Sequence, residues 1–298
     1  MEVRATPAGE VALRRRNRRN LAPLLIAPTM ILMFVFFALP YANMLLVSFL
    51  TPGKTQAFAP PMTLQNYGKY VLDPYSWDVL LRTMLFGVGA TVVCLVLGFP
   101  VAYHLTRTRT RYKGLLFSCV LSPLLVGVVI RSYGWMILLA DHGLINESLM
   151  KAGLISHSLP LMYNGFGVMV ALVHVFLPFM VLSLSGSIQT INPDLEAMAQ
   201  SLGASRLRAF FDVVFPLSLP GVLSGSILVF VMTVSSYVLP ILVGGFRVII
   251  TPMLVVQQVI ELFNWPGGAA LAIILFVSSL IVIVTFMRVM NRAMRGIA

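Results

Sequence analysis

Residues 196–221, "EAMAQSLGASRLRAFFDVVFPLSLPG", interrupt a chain that is otherwise very apolar. The stretch mixes acids and bases with alanines around a central Leu-Gly-Ala-Ser, then runs into Phe-Pro. The residues just upstream carry a helix start. Asn192 has the side chain of an N-cap, Pro193 suits the first helical position, and Asp194 complements the positive end of the helix. Leu195, Met198 and Leu202 fall at three- and four-residue spacing and form one apolar stripe. Gly203 can take the left-handed conformation that stops a helix. Ser205 caps a second short helix carrying Leu207, Phe210 and Phe211, which Pro216 ends. Residues 189–215 therefore read as two short helices meeting at a glycine. The plain alternative is an ordinary hairpin at a membrane surface; the functional one is a rigid knob set into a groove of a partner.

The flanking sequence decides what this interval is embedded in. Of 298 residues, 58% are hydrophobic and 10% charged, against about 25% charged in a soluble domain. A membrane-crossing helix needs about 20 mostly apolar residues. Six stretches qualify, at 21–49, 79–105, 114–140, 164–188, 216–243 and 267–290, and no seventh run of sufficient length remains. The predicted fold class is all-α, a polytopic membrane protein with six transmembrane helices. The basic segment and the apolar run after it are expected to form an uncleaved first span, because that run far exceeds a signal core of roughly 7–15 residues. The chain divides into a basic tail (1–20), a transmembrane domain (21–290) and a short C-terminal tail (291–298).

Lys and Arg set the orientation. Arg4, Arg14, Arg15, Arg16, Arg18, Arg19, Arg107, Arg109, Arg111, Lys113, Arg206, Arg208, Arg288, Arg292 and Arg295 fall on one side of a six-span layout. Only Lys54, Lys69, Lys151 and Arg247 fall on the other. Both termini and residues 189–215 are thus predicted to be cytoplasmic, with 50–78, 141–163 and 244–266 as outer loops. The net charge of +11 is an orientation signal facing anionic lipid, not a nucleic-acid footprint. Cys94 and Cys119 lie in apolar runs and offer neither a disulfide framework nor a zinc site. Gly53-Lys54-Thr55 imitates the end of a phosphate-binding loop, but the glycine such a loop needs five residues earlier is Ser48. His104 and His174 are too isolated to hold a metal.

The 196–221 stretch resembles the cytoplasmic loop of ABC importer permeases, the membrane subunits of binding-protein-dependent transporters. That family carries Glu-Ala-Ala, three residues, Gly, nine residues, then Ile-x-Leu-Pro. Here Gly203 is followed after nine residues by Val213-Val214-Phe215-Pro216, and "LGAS" at 202–205 also matches. The acid departs from the pattern: six residues before Gly203 stands Ala197, and Glu196 is displaced by one position, about 100° around a helix. "LGFPVAYHL" (97–105), "RSYGW" (131–135), "HGLINE" (142–147), "FLPFM" (176–180) and "NWPGGAA" (264–270) look like the spermidine/putrescine-type branch.

The resemblance implies a type I importer permease in the bacterial inner membrane that does no chemistry itself. Its implied partners are an ATPase dimer holding Mg-ATP, a second permease of a different chain, an extracytoplasmic solute-binding protein, and lipid. The solute implied is a polyamine or a related small organic molecule. ATPase coupling would fall to Glu196, Ala197, Met198, Ala199, Leu202, Gly203, Ala204, Ser205, Arg206, Phe210, Phe211 and Pro216. Candidate pathway residues are Arg131 and Trp135 in the third span, Asp141 beyond it, and Ser235, Ser236 and Tyr237 interrupting the fifth. Charge and hydroxyls inside a membrane often mark a solute path, and equally serve helix packing. Gly221 and Gly225 permit close helix contact. The rival reading is a self-sufficient secondary carrier or a channel.

Overall fold

The computed structural model describes residues 26–53, 57–108 and 110–295. The arginines of the N-terminal tail, Lys54 and Arg109 lie outside the described residues. Among the described residues the chain is helical, with an isolated bridge between Thr51 and Ala59. In chain order, α1 spans Ile26–Ser48, α2 Gln65–Val71 and α3 Pro74–Arg107. Next come α4 (Lys113–Leu121), α5 (Val128–Leu139), α6 (Leu144–Lys151) and α7 (Gly165–Gln189). The second half holds α8 (Pro193–Ser201), α9 (Arg206–Leu217), α10 (Leu219–Val234), α11 (Pro240–Arg247), α12 (Thr251–Glu261) and α13 (Trp265–Arg295).

Helix α7 forms the axis. Val168, Ala171, Leu172, Val175, Met180, Val181, Leu184 and Ile188 are all buried along it, and it packs chiefly on α3 and α10. Small residues allow the close approach. A Cβ on Gly98 would press on Met180, one on Gly225 would reach the Met180 sulfur, and one on Gly221 would collide with Ser187. The Ser183 hydroxyl donates to the Gly221 carbonyl at 3.1 Å, adding a polar tie to the α7–α10 seam. Tight van der Waals packing and such bonds replace the hydrophobic drive that lipid removes. Facing outward on α3 are Leu81, Leu85, Val88, Val92 and Val96, a contiguous apolar surface that suits hydrocarbon. Among the described residues α1 is largely exposed, with burial confined to its end at Val47 and Ser48.

Two predicted spans are corrected. The stretch 114–140 is not one helix: α4 tightens into a 3-10 turn at Ser122–Leu125, and extended residues at Val126 and Gly127 precede α5. Pro123 removes a backbone donor and Val126 takes an extended conformation, so the ladder breaks there. The stretch 216–243 is also broken, since α10 stops at Val234 and residues 235–237 separate it from α11. Residues 244–266 are not simply a loop. Helices α11 and α12 form a pair bent by 86°, an apolar hairpin in the region where no seventh run was expected. Gly245, at φ +57°, turns the chain, and Pro252 starts the second limb. Its N-terminus is pinned to α3: the Thr251 amide donates to the Thr83 hydroxyl at 2.9 Å.

Candidate functional site

The 189–217 interval folds as its residue types dictate. Asn192 Oδ1 accepts from the Asp194 amide at 3.0 Å and Pro193 opens α8. The helix ends in a Schellman pattern: Gly203 has φ +93°, its amide donates to Gln200, and the Ala204 amide donates to Ala199. Ser205 Oγ then accepts from the Arg208 amide at 3.2 Å and starts α9. A 66° bend at Ser218, between Pro216 and Pro220, passes the chain into α10. The result is a rigid helical hairpin.

The hairpin has two unlike faces. Outward stand Leu195, Met198, Leu202, Leu207 and Phe211; Leu202 is 90% exposed and Leu207 73%. Ala197, Gly203, Ser205 and Arg206 are exposed beside them, with Ala199, Ala204 and Pro216 half-buried. Inward stand Glu196 and Phe210, on the side of the hairpin turned toward α3. Glu196 is buried. Its Oε1 lies 2.6 Å from Arg107 Nη2, and its Oε2 accepts from the Tyr103 hydroxyl at 2.6 Å. Arg107 Nη1 also donates to the Ile191 carbonyl at 3.1 Å. Phe210 packs edge-on against Phe99 and Tyr103, with ring centroids 5.2 and 5.4 Å apart. The one-residue displacement of the acid is what turns it inward. The sequence marked Arg107 only as an orientation charge and Tyr103 only within the 97–105 stretch, and paired neither with Glu196. Their i, i+4 spacing puts them on one face of α3, yet nothing local points to a partner 89 to 93 residues away.

The candidate pathway residues separate into different places. Trp135 Nε1 donates to His174 Nδ1 at 3.1 Å, edge-on, joining α5 to α7. Arg131, one turn earlier, is half-buried, and its Nε and Nη1 find no hydrogen-bond partner among the described residues. Asp141 is exposed in the turn after α5. Ser235 and Tyr237 line a separate open cavity of about 560 Å³ together with Tyr41, Pro252, Phe276 and Ser279. Ser235 Oγ donates to its own helix at Val231, 2.8 Å away. Ser236 stands in the same chain break, its amide donating to Thr233. Among the described residues no group of His, Cys, Asp or Glu is placed to hold a metal ion.

Comparison with known proteins bears on this arrangement. The family described as binding-protein-dependent transport system inner membrane component matches residues 94–296. The spermidine/putrescine transport system permease protein PotB of Escherichia coli (strain K12) is 34% identical over 245 residues, covering 82% of this chain and 88% of that protein. The PotB protein of Haemophilus influenzae is 31% identical over 255 residues, covering 85% and 89%. The molybdenum transport system permease protein ModB of Mycobacterium bovis is 30% identical over 214 residues, covering 72% and 79%. Among solved structures, a chain of a bacterial ABC transporter importing the acidic polysaccharide alginate superposes with a TM-score of 0.71 at 16% identity, covering 94% of this chain and 98% of that one. A chain of the alginate transporter in complex with a pentasaccharide-bound periplasmic protein gives 0.72 at 15% identity, covering 94% and 97%.

Proposed function

Because the chain belongs to the family of binding-protein-dependent transport system inner membrane components, an ABC importer permease, we propose that its 193–217 hairpin docks a separate ATPase and passes the ATPase's movement to the bundle. The observation that carries this reading is the two-faced hairpin. Five large apolar side chains face away from the protein, while a buried ion pair and an aromatic cluster fix the other side. Exposed Leu and Met on a pre-formed helix are what a hydrophobic groove takes up. Mg-ATP would belong to the partner, and the Lys and Arg distribution supports a cytoplasmic hairpin and cytoplasmic termini.

The solute we propose is a small polyamine or related organic amine, supported by the spermidine/putrescine relatives at 31–34% identity. Tyr41, Tyr237, Ser235 and Ser279 at the cavity supply ring faces and hydroxyls suited to an ammonium group. A second permease, of a different chain, would complete the pathway, with a solute-binding protein delivering from outside. The absence of an acid at position 197, where the family carries one, supports unlike partners, one of which keeps the acid.

The test is co-purification of the tagged chain from its native membrane in mild detergent. An ATP-hydrolysing subunit should accompany the wild type and be lost from L202D/L207D. Uptake of spermidine into proteoliposomes should require ATP. Uptake by the chain alone without ATP would instead establish a carrier or channel.

A further inference from the structure

Glu196 and Arg107 meet on the inward side of α8, away from the exposed apolar face. Their side chains are largely buried, at 11% and 18% exposure, and they join elements far apart in sequence. A buried ion pair adds little net stability over a well-packed apolar substitute; its best-attested use is to hold one register against its neighbours. Register is what matters at this point. A one-residue slip of α8 would rotate its face by about 100°, take the carboxylate off Arg107 and turn Leu202 away from the partner. Two contacts made by α8 oppose that slip, the ion pair and the Tyr103 hydroxyl on Oε2, and two flank it, the Arg107 bond to Ile191 just before α8 and the Phe99–Tyr103–Phe210 cluster on α9. All of them end on the last turns of α3, whose other end is tied through Thr83 to the α11–α12 hairpin.

We propose that Tyr103, Arg107 and Glu196 form a clasp of positioning residues that locks the docking helix α8 to α3, so that the two move as one body when the ATPase moves. The load then enters the bundle through α3 directly, as well as along the chain through the bend at Ser218 into α10. The proposal rests on the docking reading above and adds the route by which docking is transmitted. It also explains the displaced acid: in this chain the carboxylate is an internal strut, and Ala197 occupies the outward position.

The test uses the whole complex in nanodiscs, with Cys94 and Cys119 replaced by Ser and spin labels at H104C and Q200C, both exposed sites. Distances are read by pulsed electron paramagnetic resonance, nucleotide-free and after trapping with ATP and vanadate. The wild-type distance should stay the same in both states. In Glu196→Gln and in Tyr103→Phe, which keeps the ring packing, the ATPase should remain bound while the distance shifts and broadens on trapping. The swap Arg107→Glu with Glu196→Arg should restore the single distance. A wild-type distance that changes on trapping as much as in Glu196→Gln would overturn the clasp and leave docking intact. Failure of any ATPase to accompany the wild type would overturn both. A merely structural pair would lower thermal stability without a nucleotide-dependent shift, and that result also counts against the proposal.

Discussion

Gly203 shows how far one residue governs the hairpin proposed to dock an ATPase. Its φ of +93° costs a residue with a Cβ roughly 1–2 kcal/mol, yet the space around it is open. Gly203→Ala should therefore weaken ATPase binding through the backbone alone, by about tenfold for each 1.4 kcal/mol, while Gly203→Asn retains more, because Asn tolerates this conformation better. Titration of the complex with purified ATPase measures the order. Capping residues and the glycine stop were legible in the sequence because they act over three or four residues. The inward turn of Glu196 and Phe210 was not, because it depends on side chains contributed by α3. The one-residue displacement of the acid was visible, but its meaning required the position of Arg107.

At the scale of elements, the seam between α7 and α10 depends on small residues. Gly221→Ala places a methyl group on Ser187, and overpacking of this kind costs typically about 1–3 kcal/mol. Gly186→Ala, on the open side of α7, is the matched control and should be neutral or slightly stabilising, since Ala is the better helix former. Thermal unfolding of both in the same detergent checks the contrast. Thr251→Val removes the hydroxyl partner of Thr83 but keeps the Thr251 amide bond to it. It should cost about 1 kcal/mol, less than Thr83→Val, which leaves that amide unpaired. Where they are described, the six apolar stretches fall mainly on helices, so hydropathy located most of the elements but not α12. It failed at their continuity: a window of about 20 residues averages over Pro123–Gly127 and Ser235–Tyr237. Backbone breaks at membrane depth are tolerated where neighbouring protein re-satisfies the freed groups, and a single-sequence average does not see the neighbour.

The whole molecule is a bundle with one polar hairpin beneath it, α1 applied to its outside, and apolar surface over much of the rest. The proposed orientation rests on charge, and under it a cysteine at exposed Gln200 should react with a membrane-impermeant maleimide only after the cell membrane is opened, whereas one at exposed Asp141 should react in cells with an intact inner membrane. Labelling on the reverse sides would invert the topology. The central claim is that the outward face of the hairpin is where an ATPase sits. The most direct measurement is photo-crosslinking from a benzoylphenylalanine at Leu202, Leu207 or buried Ala209 in the native membrane, with the adduct identified by mass spectrometry. The account predicts an adduct with an ATP-hydrolysing subunit from Leu202 and Leu207, and none from Ala209. Adducts with lipid alone from Leu202 and Leu207 would contradict it and leave residues 193–217 as a hairpin resting on the membrane.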